Sequence, residues 1–199
     1  DAGSLSASAV RPFGRGYSLA LNLASSERLP VAEELYSDGP HLATRVVQVG
    51  AADLGAEQAH HLDVGVRREM GDVAWSVTAF ATRYHDFIYL AATGEIDAEE
   101  GLPVFVYTAR AAEFNGLEAE LFAPIATTEA GEVDLRVFAD VVRGEPTTGE
   151  PVPRLPPLRA GARLQYHNGR FLAGFEARRY DRQTQVAAYE QPTSGYTIV

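Results

Sequence analysis

Apolar and polar residues alternate with a period of two through most of this chain, and that pattern admits few folds. Tyr17, Leu19, Leu21 and Leu23 alternate with Ser18, Ala20, Asn22 and Ala24. The same rhythm returns at 62–67, 75–82, 133–142, 159–166 and 171–178. Successive side chains of a strand point to opposite faces, so each segment offers one apolar and one mostly polar face. These segments predict an all-β protein.

The connections come in two sizes that alternate. Short turns fall at 70–72, 127–132 and 167–169, and longer links at 26–56, 92–103, 144–157 and 183–194. Tight turns on one side and extended loops on the other are the layout of a transmembrane barrel. Strand-like sequence runs unbroken over 73–91 and 104–125, well beyond the ~9–11 residues that a crossing needs. The expectation is an antiparallel transmembrane β-barrel segment of long strands that project past the bilayer. Tyr84, Phe87, Tyr89, Phe105, Tyr107, Phe114 and Phe122 are candidates for its interfacial aromatic girdles, with ordinary sheet packing as the alternative. The proline-rich stretch 150–157 reads as a loop, because proline removes a ladder donor.

Composition narrows function by exclusion. The chain has no cysteine, which removes thiol catalysis, disulfides and Cys-based zinc sites. A net charge of −10 with no Lys/Arg run argues against nucleic acid as a partner. No apolar stretch has the length of a membrane-spanning helix, which a barrel does not need. The first residues, Asp1 to Ser4, lack the features of a signal peptide, and Tyr196 to Val199 stop inside what reads as a strand. Both ends read as cut.

Several segments, in order, resemble the barrels of TonB-dependent outer-membrane receptors, particularly the branch that includes zinc-uptake receptors. They are Ser26-Glu27-Arg28-Leu29-Pro30, Glu33-Glu34-Leu35-Tyr36 and Gly39-Pro40-His41-Leu42-Ala43-Thr44, then Asp86-Phe87-Ile88-Tyr89. Ala112-Glu113-Phe114-Asn115-Gly116-Leu117-Glu118-Ala119-Glu120 follows, then Arg154-Leu155-Pro156-Pro157-Leu158-Arg159, and Glu190 with Thr193-Ser194-Gly195-Tyr196-Thr197. The resemblance implies that residues 1–199 form one partial barrel domain, about eight or nine long strands of a 22-stranded barrel, without plug domain, TonB box or closing strands. It further implies a bacterial outer-membrane location. Outer-membrane lipid, the receptor's own plug and the TonB complex would be partners, and a scarce metal ion (zinc favoured) or metal complex the transported cargo. No resident cofactor is implied. A small self-contained barrel with an adhesin or structural role, and a soluble β-sandwich binding module, stand as alternatives.

His41 lies in the long 26–56 link near Asp38, Glu33 and Glu34, and imidazole with carboxylates suits zinc. His41, Asp38 and Glu33 are therefore the candidate metal ligands, the alternative being a plain polar turn. His60 and His61 are adjacent and must face opposite sides of a strand. His85 and His167 read as structural. The loop 94–101 holds four carboxylates and reads first as a solvated acidic loop that could raise the local cation concentration. Asp63, Arg67, Asp134, Arg136, Asp140, Arg159, Arg163, Glu176 and Arg178 are expected on one lumen-facing side, pairing across strands. No Gly-x-Ser-x-Gly, Walker or His-Glu-x-x-His sequence occurs, and the chain is not expected to be an enzyme.

Overall fold

In the computed structural model the chain is one twisted wall of strands, and the structure describes residues 2–146 and 151–199. Part of the 144–157 link, including Glu150 of the proline-rich stretch, lies outside the described residues. The elements are β1 (Ser4–Gly14), β2 (Tyr17–Arg28), α1 (Ala32–Tyr36), β3 (Asp38–His41), β4 (Val46–Val49), β5 (Glu57–Arg68) and β6 (Ala74–Ile96). They continue with β7 (Pro103–Thr128), β8 (Gly131–Pro146), β9 (Arg159–His167), β10 (Leu172–Tyr180) and β11 (Tyr196–Ile198). Among the described residues nine strands follow one path, β1-β2-β5-β6-β7-β8-β9-β10-β11. Every neighbour on that path is antiparallel. β1 and β11 are its two edges, so the sheet is open.

Register sorts the side chains into two faces. Directly paired residues share a face, as do residues two apart. By that rule Asp63, Arg67, Asp134, Arg136, Asp140, Arg159, Arg163, Glu176 and Arg178 all fall on one polar face. The opposite face carries Leu19, Leu21, Leu23, Leu62, Val64, Val77, Leu117, Val137 and Leu164, each 38–49% exposed, in a continuous apolar band. A soluble sheet would cover such a band with a second layer. Among the described residues no second sheet packs on it, and a band left facing outward is the signature of a barrel wall in lipid.

Three large aromatics on the polar face have a local reason. Phe80 and Phe138 stand directly across from Gly116 and Gly161, and Phe114 stands across from Gly144. A Cβ at these glycines would meet the ring at 2.5–2.6 Å. The rings thus lie flat over the backbone that the glycines leave bare, a pairing that stiffens otherwise weak sheet positions.

The girdle expectation needs correction. Tyr84, Phe114 and Phe122 share the polar face, since their partners run to Ala112, Thr82 and Arg136. The outward aromatics include Tyr17 and Trp75, partners of Arg68 at the short-turn end, and Tyr166 and Phe175, which share the face of Leu164. Phe13 stacks on Tyr17 at 5.6 Å and Trp75 meets it edge-on at 6.0 Å. A bulge explains part of the error. Between Tyr84 and Phe87, β6 has one residue more than β7, so face assignments counted along β6 change there.

The long 26–56 link is an ordered insertion. Val31 N–H donates to the Glu34 carboxylate at 2.8 Å, closing the start of α1. β3 and β4 form a hairpin, and β4 then adds in parallel to the outer part of β7 through Val47↔Val104, Gln48↔Phe105 and Val49↔Val106. Val46, Val47 and Gln48 are buried, as are Ile88 on β6 and Val152 in the β8–β9 connection. The insertion therefore has a small apolar core of its own, outside the apolar band.

Candidate functional site: a cleft among the long connections

One arginine anchors the insertion to the wall. Arg28, the last residue of β2, donates from Nη1 to both oxygens of Glu34 (3.0 and 2.8 Å). Its Nε and Nη2 reach Glu57 at 3.2 and 3.1 Å. These hydrogen bonds, Glu57 first and then Glu34, hold the guanidinium well above its ordinary pKa. Glu57 also accepts Ile88 N–H at 2.9 Å. β6 outruns β5 at this point, and the carboxylate satisfies an edge donor that a strand would otherwise take.

With α1 so held, Glu33 turns toward β7 and accepts the Tyr107 hydroxyl at 3.1 Å. Burial, together with that hydrogen bond and the nearby Glu33 and Glu34 charges, pushes the Tyr107 phenol up, so it stays a donor. Glu190 ties two further connections together. Its carboxylate accepts Arg154 N–H at 2.9 Å and Ala187 N–H at 3.0 Å. Gln183 adds a bond to the Leu155 carbonyl at 2.8 Å.

Between these segments lies a cleft of about 900 Å³. Phe87, Tyr89, Phe105, Tyr107 and Tyr189 supply aromatic surface, and Phe105 and Tyr189 stand 5.7 Å apart. Arg45, Arg110 and Arg154 bring positive charge, and Glu33 and Glu190 are already committed to the contacts above. Among the described residues four non-glycine residues have φ between 50° and 62°, and three of them, Arg45, Arg154 and Tyr189, line this cleft from three different connections. Left-handed backbone is costly for such residues and persists where the surroundings impose it, most often at binding sites. Rings and guanidinium groups together suit a ligand with flat faces and negative charge.

The proposed metal ligands are placed as follows. His41 and Glu33 both line the cleft, whereas Asp38 does not. Asp38 and His41 occupy opposite ends of β3, three residues apart, and so face opposite ways. His41 Nδ1 is 2.9 Å from the Thr44 hydroxyl. Among the described residues no group of three or more His, Asp or Glu side chains is arranged to hold a metal ion. Residue spacing had not pointed to Arg45, Arg110 or Tyr189. Their backbone conformations and the joining of distant connections are set by tertiary contacts.

The other histidines fall into local networks. His61, on the polar face, contacts Thr82 at 2.8 Å and Asp63 at 3.2 Å, and Asn22 donates to the same carboxylate. His60 points to the opposite face. His167 sits 3.1 Å from Asp134 and 3.5 Å from Glu132 at the short-turn end. In the acidic loop Asp97 accepts the Glu99 and Glu100 amides, an ordinary turn. On the polar face Arg136 pairs with Glu120 at 2.8 Å, Arg159 with Asp140 at 2.6 Å, and Arg178 with Glu176. Both Arg136 and Arg159 lie over the Phe138 ring. These charges neutralise one another within a shallow concavity of about 350 Å³.

Residues 3–199 match the family model described as TonB dependent receptor-like, beta-barrel. Among solved structures, the copper transporter OprC superposes with a TM-score of 0.79 at 19% identity, over 95% of this chain and 29% of that one. The siderophore receptor PirA from Acinetobacter baumannii gives 0.69 at 15% identity, over 98% and 33%. The FrpB iron transporter from Neisseria meningitidis gives 0.62 at 15% identity, over 98% and 30%. The chain thus spans about a third of these proteins' length, and at such identities the likeness is one of fold.

Proposed function

The chain belongs to the TonB-dependent receptor β-barrel family, whose barrels lie in the outer membrane of Gram-negative bacteria, and from that premise we propose that it forms part of the wall and outer vestibule of a nutrient-uptake receptor. The cargo is a metal, with zinc favoured by the sequence resemblance, and it is carried as a complex. The observation that supports this reading is the cleft among the long connections, with its rings, three arginines and three left-handed non-glycine residues. A bare ion would ask for converging imidazole and carboxylate groups. His41, Asp38 and Glu33 stand as the ion's first contacts only if Asp38 turns inward on binding.

In the intact receptor a plug domain fills the barrel, and the TonB complex supplies energy to move it. Residues 1–199 are then a partial barrel domain, completed by further strands at the free edges of β1 and β11. The open sheet and the threefold greater length of the matched structures favour this over a small closed barrel with an adhesin role.

The test is radiozinc uptake by cells whose full-length receptor carries Arg45→Ala with Arg154→Ala. Chelated zinc should enter about tenfold more slowly than in wild type, the loss expected for removing charge-assisted hydrogen bonds. Undiminished uptake of the chelate would reject the cleft as the cargo site. A loss confined to free zinc, and reproduced by His41→Ala, would favour the bare ion.

A further inference from the structure

A second feature lies on the outward face, away from the cleft. Over β2, β5, β6 and β7 the apolar band gives way there at a row of cross-strand partners, Ser25, His60, Arg83 and Glu113, which starts from Leu5 at the β1 edge. The row beneath is apolar from β1 to β6, through Ala7, Leu23, Leu62 and Ala81, and turns polar at Asn115 and Arg143 on β7 and β8. An open groove of about 610 Å³, floored by Leu5, Leu23 and Leu62, runs up to His60 and Arg83. The His85 ring meets the His60 ring edge-on at 5.4 Å, so two imidazoles and a guanidinium crowd the head of the groove. The carboxylates lie to one side. Glu113 pairs with Arg83 at 3.0 Å, and Glu145 is its partner on β8. Arg83 is 76% exposed in that pair, leaving guanidinium N–H groups turned to the surroundings. This basic spot is out of keeping with a chain of net charge −10.

We infer that the groove is a binding site for a phosphate-bearing lipid of the outer leaflet. One acyl chain lies along Leu5, Leu23 and Leu62, and the phosphate is held by Arg83 and His60. Three arguments converge. The long-connection end of a barrel faces outward, which puts this row at the outer leaflet. Lipid phosphates sit at the depth where an apolar band stops, and basic groups there recognise anionic headgroups. A guanidinium presents paired donors that fit phosphate oxygens. The inference rests on the barrel reading, and it is independent of the cargo.

The test uses the full-length receptor in detergent, with lipids bound to it counted by native mass spectrometry. The probes are a bis-phosphorylated lipid A and its dephosphorylated form. Wild type should retain the phosphorylated lipid about tenfold better. Arg83→Gln combined with His60→Gln should abolish that preference. Arg11→Gln, at the other end of the band on the same face, should keep it, and Glu113→Gln should strengthen it by freeing Arg83. Equal retention of the two lipids by wild type, or an undiminished preference in the double variant, would overturn the site. Zinc uptake is expected to be the same in all these receptors, so failure here and failure of the cargo reading are separable.

Discussion

The membrane wall and the cap formed by the long connections share strands but keep their apolar groups in different places. In the wall, Leu21, Val64 and Leu117 are about 40% exposed and turn outward, because lipid is their solvent. In the cap, Val47 and Ile88 are 7% and 6% exposed, packed inside a core that excludes water. The wall is held by its ladder and by ion pairs spread along the polar face. The cap is held by a few concentrated contacts, chiefly Arg28 with Glu34 and Glu57. One sheet is thus a membrane protein along part of its length and a small soluble-like unit beyond it.

The largest effect that would break this comparison is a charge on the outward face. Val64→Arg should destabilise the receptor by about 3 kcal/mol, the scale for a cation near the bilayer midplane. Thr78→Arg, on the polar face, should cost little. The check is the fraction of receptor still folded in a denaturant series in lipid vesicles, and equal losses at the two sites would contradict the lipid-facing assignment.

A smaller, local effect is expected at Gly50. A Cβ there would lie 2.5 Å from the backbone of Leu35 and Tyr36, where the end of α1 crosses the chain leaving β4. Gly50→Ala should cost about 2 kcal/mol of overpacking. Limited proteolysis should show faster cutting within 29–56 while the wall stays resistant. Cutting spread evenly over the chain would mean that cap and wall are one unit.

Arg28→Ala should have the smallest effect on stability, about 1.5 kcal/mol, since Arg28 is itself 41% exposed while its carboxylate partners are 12% exposed. Hydrogen exchange would sharpen the comparison. Amides near Ile88 should lose protection, whereas those near Val66 in the wall should not.

Much of the wall was legible along the chain. A half-buried strand needs apolar residues at every second position, and β2, β5, β8, β9 and β10 follow that rule. β1 escaped because Ser6, Ala7, Ser8 and Ala9 differ too little in polarity to show two faces. β4 escaped because Val46, Val47 and Gln48 are buried in succession, which erases alternation. α1, at five residues, is too short to show a helical period.

The sequence by itself determined that the chain is a wall of long antiparallel strands with one apolar and one charged face. Alternation is a local property, imposed by strand geometry and by a solvent that is oily on one side only. Tertiary structure alone decided which way Phe87 and Tyr89 turn, because a single bulge between Tyr84 and Phe87 shifts the count along β6. It also decided what gathers at the cleft. Arg45, Arg154 and Tyr189 lie far apart in the chain, and they meet only because the Arg28 and Glu190 contacts hold their connections together.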